Sequence, residues 1–273
     1  MILVTPRPLP HAAHRLVVFP HAGGGPSYYH SWTAVDDVEI SLVQYAGRER
    51  RMAEPPVSDP YAVVAEVCAA LADGDDGRPT ALFGHSMGAL LAYETAAALV
   101  GGPEPSALFV SARRAPSTVE PVPLDPATGR ARPRSDEEIL ASLREHGGTP
   151  MDLFDDPAVR ELFLRVLRAD YQLIESHRPP AGRPPLTLPL TALWGEQDPT
   201  ADEPLMRPWA ACTTGPFHGY GFDGGHFYLV PHRERVLTLI RERLGVTGAV
   251  PGRAGPRPGR GPAVRAAGPP PRR

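Results

Sequence analysis

Three side chains of this sequence could share one reaction. Ser86 stands between Gly84 and Gly88 in LFGHSMGALLAYE, residues 82–94. Asp198 ends the run Trp194-Gly-Glu-Gln-Asp, and His226 lies in Asp223-Gly-Gly-His-Phe-Tyr. A serine hydroxyl is a poor nucleophile until a base takes its proton. Imidazole can be that base, with a carboxylate behind it to accept the other N–H and stabilise the imidazolium. The chain order serine, acid, histidine is that of hydrolases built on a Gly-x-Ser-x-Gly turn.

The pattern around Ser86 gains meaning from its setting. The apolar run Thr80–Phe83 reads as a buried strand, and an Ala- and Leu-rich helix follows at once, from Ser86 to Leu99. A sharp strand-to-helix turn strains the serine backbone and lifts the hydroxyl above the sheet at a helix N-terminus. The competing reading is a serine that merely caps the helix. His226 is preferred as base because its Gly-rich loop follows the strand-like Phe217–Phe222 and precedes the last helix. His218 and His232 compete, the first on that strand and the second at a helix start, both expected to face solvent. Asp198 follows the end of a strand by three residues; Glu196 and Asp202 are its competitors.

Acyl transfer also needs donors for the developing oxyanion. The backbone N–H of Met87, just after the nucleophile, is one candidate. The loop Phe19-Pro-His-Ala-Gly-Gly-Gly25 offers the other, with Ala22 N–H as the expected donor. Its glycines let main chain pass close to a reacting carbonyl, although such a run can also be a plain turn or a phosphate nest.

The elements that must position these residues alternate. Leu16–Phe19, Ile40–Tyr45, Thr80–Phe83, Ala107–Ser111 and Leu188–Trp194 are short apolar runs without alternation, the pattern of parallel strands covered on both faces. Between them lie helical patterns: one opened by Asp59-Pro60 and running to about Leu71, the one after Ser86, and a last one over Pro231–Leu244. Such alternation predicts an α/β fold with a doubly wound, mostly parallel sheet. Residues 116–186 break the rhythm. They hold no convincing strand but two helices, one opened by the capping box Ser135-Asp-Glu-Glu138 and one by Asp156-Pro157. The second places Val159, Leu162, Phe163, Val166, Leu167, Leu173 and Ile174 on one stripe. Asp170 shares that stripe, either as a buried carboxylate with an Arg partner or as a polar group lining a pocket. The expected organisation is a core of residues 1–115 and 187–245, a helical lid of residues 116–186, and a disordered tail of residues 246–273 rich in Pro, Gly and Arg.

Composition narrows the function classes. With 42% hydrophobic and 22% charged residues, the 273-residue chain reads as soluble and globular. A formal charge of −3 argues against nucleic acid as the main partner. The tail concentrates six arginines and no acid, which leaves 22 arginines against 31 acidic residues in the rest. No stretch reaches the roughly 18 apolar residues of a membrane span, and the N-terminus lacks a signal-peptide core, so the cytoplasm is the expected compartment. The two cysteines, Cys68 and Cys212, support neither a disulfide framework nor a metal site, and no metal is expected.

Taken together, FPHAGG (19–24), the Ala-Gly-Arg stretch 46–48, GHSMGA (84–89), HGGTP (146–150), DYQLIES (170–176), LWGEQD (193–198), Trp209 and GGHFYL (224–229) resemble the type II thioesterases of polyketide and nonribosomal peptide biosynthesis. The resemblance covers about residues 15–244. It implies an α/β-hydrolase fold with an inserted helical lid, and removal of stalled acyl groups from phosphopantetheinyl carrier domains. It implies Ser86, Asp198 and His226 as the catalytic triad, Ala22 and Met87 N–H as the oxyanion hole, and no cofactor of the protein's own. Ala46 stands where the family usually has Pro. Chain-terminating relatives carry the acid just after the strand following the serine, but here that stretch, VSARRAPSTVEPV, has no Asp and only Glu120. Arg48, Arg50, Arg51, Arg113 and Arg114 could meet an acidic carrier surface, or simply be solvated. A small-molecule esterase or peptidase of the same fold and a non-catalytic carrier-binding protein are the alternative readings.

Overall fold

The computed structural model describes residues 1–119, 122–129, 131–180 and 182–246. Nearly all of the tail expected to be disordered lies outside them. Seven strands form one sheet: β1 (Leu3–Val4), β2 (His14–Phe19), β3 (Val38–Val43), β4 (Thr80–His85), β5 (Leu108–Ser111), β6 (Leu190–Gly195) and β7 (Phe217–Phe222). Their order is β1-β3-β2-β4-β5-β6-β7, and every neighbouring pair is parallel except β1 with β3. The doubly wound α/β arrangement is therefore present. The two-residue edge strand β1 was not foreseen; it is too short to carry a periodic signal. Strands β3, β5 and β6 are buried along their whole length, because helices cover both faces.

The helices are α1 (Pro26–Tyr29), α2 (Pro60–Asp73), α3 (Met87–Ala98), α4 (Asp136–His146), α5 (Pro157–Ser176), α6 (Glu203–Met206) and α7 (Arg233–Arg243). Three expected caps form. Asp59 accepts the Tyr61 N–H, Ser135 and Glu138 close a reciprocal capping box, and Asp156 accepts from Ala158 and Val159. The last helix starts at Arg233 rather than Pro231, since residues 226–232 are spent in turns. Helix α3 lies at the centre and buries nearly all of its length, Glu94 included.

Residues 116–186 enter between β5 and β6 and carry α4, α5 and an isolated internal bridge, Leu124 with Ala131, while Leu186 at their end bridges Thr213. The α5 stripe differs from the one expected. Leu162 and Phe163 are exposed, while Leu164, Asp170 and Tyr171 are buried beside Val166, Leu167 and Leu173. The helix therefore turns its inner face toward two partners at once. One is a small separate core made with Ile139, Leu140 and Phe154; the other is the sheet domain. The exit of the segment is fastened by Glu94 of α3, which bonds His177 at 2.8 Å and both Arg183 terminal nitrogens at 2.8 and 2.7 Å. Cys68 and Cys212 are both free. Among the described residues no helix is long and apolar enough to cross a membrane.

Candidate active site

The strand order fixes where a ligand can bind. From β2 the chain winds outward to β3, and from β4 it winds the other way through β5, β6 and β7. The loops leaving β2 and β4 therefore flank the point where the winding reverses, the usual binding crevice of an open α/β sheet. They are the Phe19–Gly25 loop and the turn at Ser86.

Ser86 joins β4 to α3 with φ 54° and ψ −115°, a strained geometry for a side-chain-bearing residue. Its N–H donates to Ser111 O at 2.8 Å, which ties the turn to β5. Its hydroxyl makes no cap bond to α3, so the helix-capping reading of this serine fails. Gly88 is obligatory here: a Cβ would stand 1.9 Å from Phe19 O and 2.7 Å from Pro20 O. The bare Cα lets the first turn of α3 lie directly on the end of β2, and that brings Met87 beside the Phe19–Gly25 loop.

Within that loop Gly24 N donates to His21 O at 3.0 Å, and Gly23 has φ 77°. These define a type II turn with Ala22 and Gly23 at its centre, which leaves the Ala22 N–H outside the turn's own hydrogen bond. The turn is clamped from behind. Asp170 Oδ2 accepts the Gly23 N–H at 2.7 Å, and Arg48 donates to both Asp170 oxygens at 2.8 and 2.6 Å and to Gly24 O at 3.1 Å. Of the two readings open for Asp170, the buried carboxylate with an Arg partner is the observed one. Arg48 is 7% exposed and so is not a surface docking residue.

Asp198 and His226 meet directly. Asp198 Oδ2 lies 2.7 Å from His226 Nδ1, and Oδ1 accepts the Thr200 N–H at 2.9 Å and its hydroxyl at 2.7 Å. Burial pushes the Asp198 pKa upward, but the bonds from His226 and Thr200 outweigh it and hold the carboxyl below its ordinary value. An ionised carboxylate can only accept, so the proton sits on Nδ1 and Nε2 is left free as a base. The two loops approach because Gly195 has no side chain; a Cβ there would meet Gly225 O at 2.2 Å. The competitors fall away: Glu196 is exposed and Asp202 caps α6 through the Leu205 N–H. His218 and His232 are half-buried rather than solvent-facing, and neither borders the cavity that Ser86 lines.

That cavity, of about 730 Å³, has Ser86, His226 and Ala22 in its wall, with Leu90 from α3 and Tyr171 and Ile174 from α5. The structure brings Ser86 and His226 to this one space; among the described residues no hydrogen bond joins the Ser86 hydroxyl to His226. Catalytic bonds of this kind often tighten only around substrate. No three His, Cys, Asp or Glu side chains among the described residues are grouped to hold a metal ion.

Residues 14–244 match the thioesterase-domain family. The chain belongs to the thioesterase family. It is 39% identical over 242 residues to a probable cadicidin biosynthesis thioesterase of Streptomyces griseus, covering 88% of this chain but only 64% of that protein. It is 38% identical over 250 residues to the thioesterase PikA5 of Streptomyces venezuelae, covering 89% of this chain and 85% of the other. Among solved structures, the type II thioesterase BorB from the borrelidin biosynthetic cluster superimposes with a TM-score of 0.76 at 36% identity, over 89% of this chain and 97% of BorB. The expected likeness to type II thioesterases is thus borne out, as is the α/β-hydrolase fold.

Sequence reasoning missed the side chains that surround this thioesterase's His226. His85 and His146 place their rings 5.2 and 4.3 Å from it, centroid to centroid. His85 is fully buried, its Nδ1 2.8 Å from Ser111 Oγ, which in turn lies 2.7 Å from Tyr228 Oη. Burial, helped by His226, holds the His85 pKa well below the ordinary value and brings that of His21 down to about 3. Both rings are neutral around neutral pH, and among the described residues Asp198 is the one charged group bonded to His226. The motif HGGTP carried a signal for His146, but without contacts no role could be read from it.

Proposed function

We propose that this thioesterase hydrolyses acyl groups from the phosphopantetheine arm of carrier domains, with Ser86, His226 and Asp198 as its triad. The observation that carries the reading is the His226–Asp198 bond standing at a cavity whose wall also holds Ser86 on its strained turn. Ser86 Oγ attacks the thioester carbonyl and its proton passes to His226 Nε2, while Asp198 stabilises the imidazolium. The oxyanion is held by the N–H groups of Ala22 and Met87, the second of which lies at the positive end of α3. The C–S bond then breaks, and the departing thiol takes the proton from Nε2. Water gives a proton to Nε2 as its oxygen attacks the acyl-Ser86 ester. The free acid leaves and Ser86 recovers its hydrogen. Each step moves only protons and the acyl group, so the chemistry calls for no metal and no cofactor beyond the carrier's arm.

In this reading residues 116–186 act as a lid over the acyl pocket, placed on the core of residues 1–115 and 187–245. The carrier domains belong to a polyketide or nonribosomal peptide synthase and the work is the editing of stalled acyl groups in the cytoplasm, a reading supported by the biosynthetic roles in the names of two relatives. The test is release of acetyl or propionyl from a loaded carrier protein, followed by intact-protein mass spectrometry. The wild-type protein should strip the acyl mass, and Ser86→Ala should slow it by at least about 10⁴-fold. A wild-type protein that leaves the carrier loaded yet cleaves a simple ester would replace the carrier reading by the esterase one.

A further inference from the structure

The segment inserted between β5 and β6 brings a second histidine to His226. His146 ends helix α4, and its ring centre lies 4.3 Å from that of His226, with the two planes tilted by 54°. Both rings border the cavity that Ser86 also lines. A second contact fixes the approach. A Cβ on Gly148 would stand 2.3 Å from the Phe227 ring, so bare main chain two residues after His146 rests on the residue that follows His226. The end of α4 is thus seated on the loop that carries the base.

The neighbours of His146 decide which nitrogen holds its proton. Nδ1 lies 2.7 Å from Ser142 O, one turn back in α4. A carbonyl oxygen only accepts, so Nδ1 carries the hydrogen and Nε2 keeps a lone pair. Burial and His226 hold the His146 pKa below its ordinary value, against the opposing pull of Ser142 O, Asp198 and Glu145, and the ring is neutral at neutral pH. Among the described residues nothing donates to this Nε2. It is not closed off either, whereas the unpartnered Nε2 of His85 is sealed inside the protein. His226 is its counterpart: Nδ1 is engaged by Asp198, and Nε2 is an acceptor. Two lone pairs cannot bond each other, and a water that donates one hydrogen to each satisfies both. Two such bonds of about 2.8 Å from one oxygen span about 4.5 Å, a distance that rings with centres 4.3 Å apart can offer.

We infer that His146 positions the water that frees the acyl group from Ser86. The inference rests on the triad reading above and adds a residue to the second half of that reaction. The water directs one hydrogen to His226 Nε2 and the other to His146 Nε2, which leaves its oxygen lone pairs turned away from both rings. As that oxygen bonds the ester carbonyl carbon, the first proton passes to His226. The second is shared with His146 but stays on the oxygen and departs with the acid. The bond from the carbon to Ser86 Oγ then breaks, and His226 Nε2 returns its proton to Ser86. In the first half Ser86 is itself the nucleophile and no water is placed, so His146 has no part there.

The test separates the two halves with p-nitrophenyl propionate, whose good leaving group makes acylation fast. The burst of p-nitrophenol reads acylation; the steady rate, with acyl-Ser86 followed by intact-protein mass spectrometry, reads deacylation. His146→Leu should leave the burst rate unchanged and slow deacylation about threefold to tenfold, the scale of one neutral hydrogen bond. The acyl mass on Ser86 should persist correspondingly longer. With propionyl-N-acetylcysteamine, kcat/KM reports acylation alone and should hold. His146→Gln, whose amide oxygen can stand near the place of Nε2, should recover part of the deacylation rate. A burst that slows as much as the steady rate overturns the inference, because a merely loosened α4 would disturb both halves alike. So does a His146→Leu protein that deacylates like wild type, or a His146→Gln protein no faster than His146→Leu. Each of these results leaves the triad reading standing. A wild-type protein that never carries acyl mass on Ser86 and hydrolyses neither ester nor thioester would overturn that reading, and the inference with it.

Discussion

Replacing Asp170 by alanine separates what the Arg48–Asp170 pair does for stability from what it does for chemistry. The carboxylate is 1% exposed and accepts three hydrogen bonds, two from Arg48 and one from Gly23 N–H. Its removal strands the Arg48 guanidinium in the interior with, among the described residues, Gly24 O as its remaining hydrogen-bond acceptor and the Tyr45 ring beneath it. Breaking a buried pair in this way costs about 3–5 kcal/mol. For a folded body of this size that is a fall in Tm of about 6–20 °C. The same change frees the Gly23 N–H, which anchors the turn presenting Ala22. If Ala22 N–H is an oxyanion donor, kcat should fall toward the roughly 10²-fold loss typical of a missing donor, with KM little altered. The double variant Arg48→Met/Asp170→Leu fills the space with apolar groups and should recover most of the stability. It should not recover kcat, because nothing then holds Gly23. Calorimetry gives the first quantity, and turnover of an acyl-N-acetylcysteamine thioester at 20 °C gives the second. A single variant that loses less than about 1 kcal/mol, or a double variant with wild-type kcat, would refute the reasoning.

Other consequences can be checked in the same preparations. His21 and His85 are neutral when folded but protonate below pH ~6.5 when unfolded, so the unfolded state binds more protons and stability falls as pH drops through 6.5. At pH 5.5 each should have lost about 1 kcal/mol relative to neutral pH, with His146 acting in the same sense; urea unfolding at pH 7.5 and 5.5 reads it, and equal stabilities would contradict the buried neutral rings. The Asp198 contribution has the same sign but a lower window: it is present above the unfolded carboxyl's value and lost as pH falls through the folded one. Gly88→Ala should cost at least about 1–3 kcal/mol and most of the activity, because backbone rather than a movable side chain blocks the new methyl; a variant with native Tm and rate would exclude the close approach of α3 to β2. Glu94→Ala should destabilise by about 3–5 kcal/mol and open residues 177–186 to limited proteolysis, since it strands Arg183 and releases His177; protease resistance equal to wild type would argue against that fastening.

Much of the sheet was legible because its strands are apolar runs with nothing alternating, and the helix starts were legible because Asp59, Ser135 and Asp156 cap in the standard way. Ser86, Asp198 and His226 could be read for a related reason: each sits where a strand has just ended. The α5 stripe was misread, with Leu162 and Phe163 placed inside. A helix that packs on two bodies has two inner faces, and one-stripe reasoning cannot resolve them. Glu94 was invisible inside an apolar helical run, because its partners His177 and Arg183 lie more than 80 residues away. The four-histidine surround of the site stayed hidden for the same reason. His21 and His226 come from two loops, His85 from the end of β4 and His146 from the end of α4, and no spacing in the chain links them.

Helix α5 faces the cavity with Tyr171, Ile174 and Glu175, and one residue earlier grips the Gly23 turn with Asp170. A single rigid rod thus feels the bulk of whatever occupies the pocket and sets the position of the main chain that would receive the oxyanion. An acyl group too wide for the cavity would rotate or lift the rod and drag Gly23 with it. Misfit would then register as slow turnover more than as weak binding, and chain-length selection would be written in kcat. Redesign of the pocket for longer acyl groups would do better to shorten side chains at Tyr171 or Ile174 than to shift the helix that bears them.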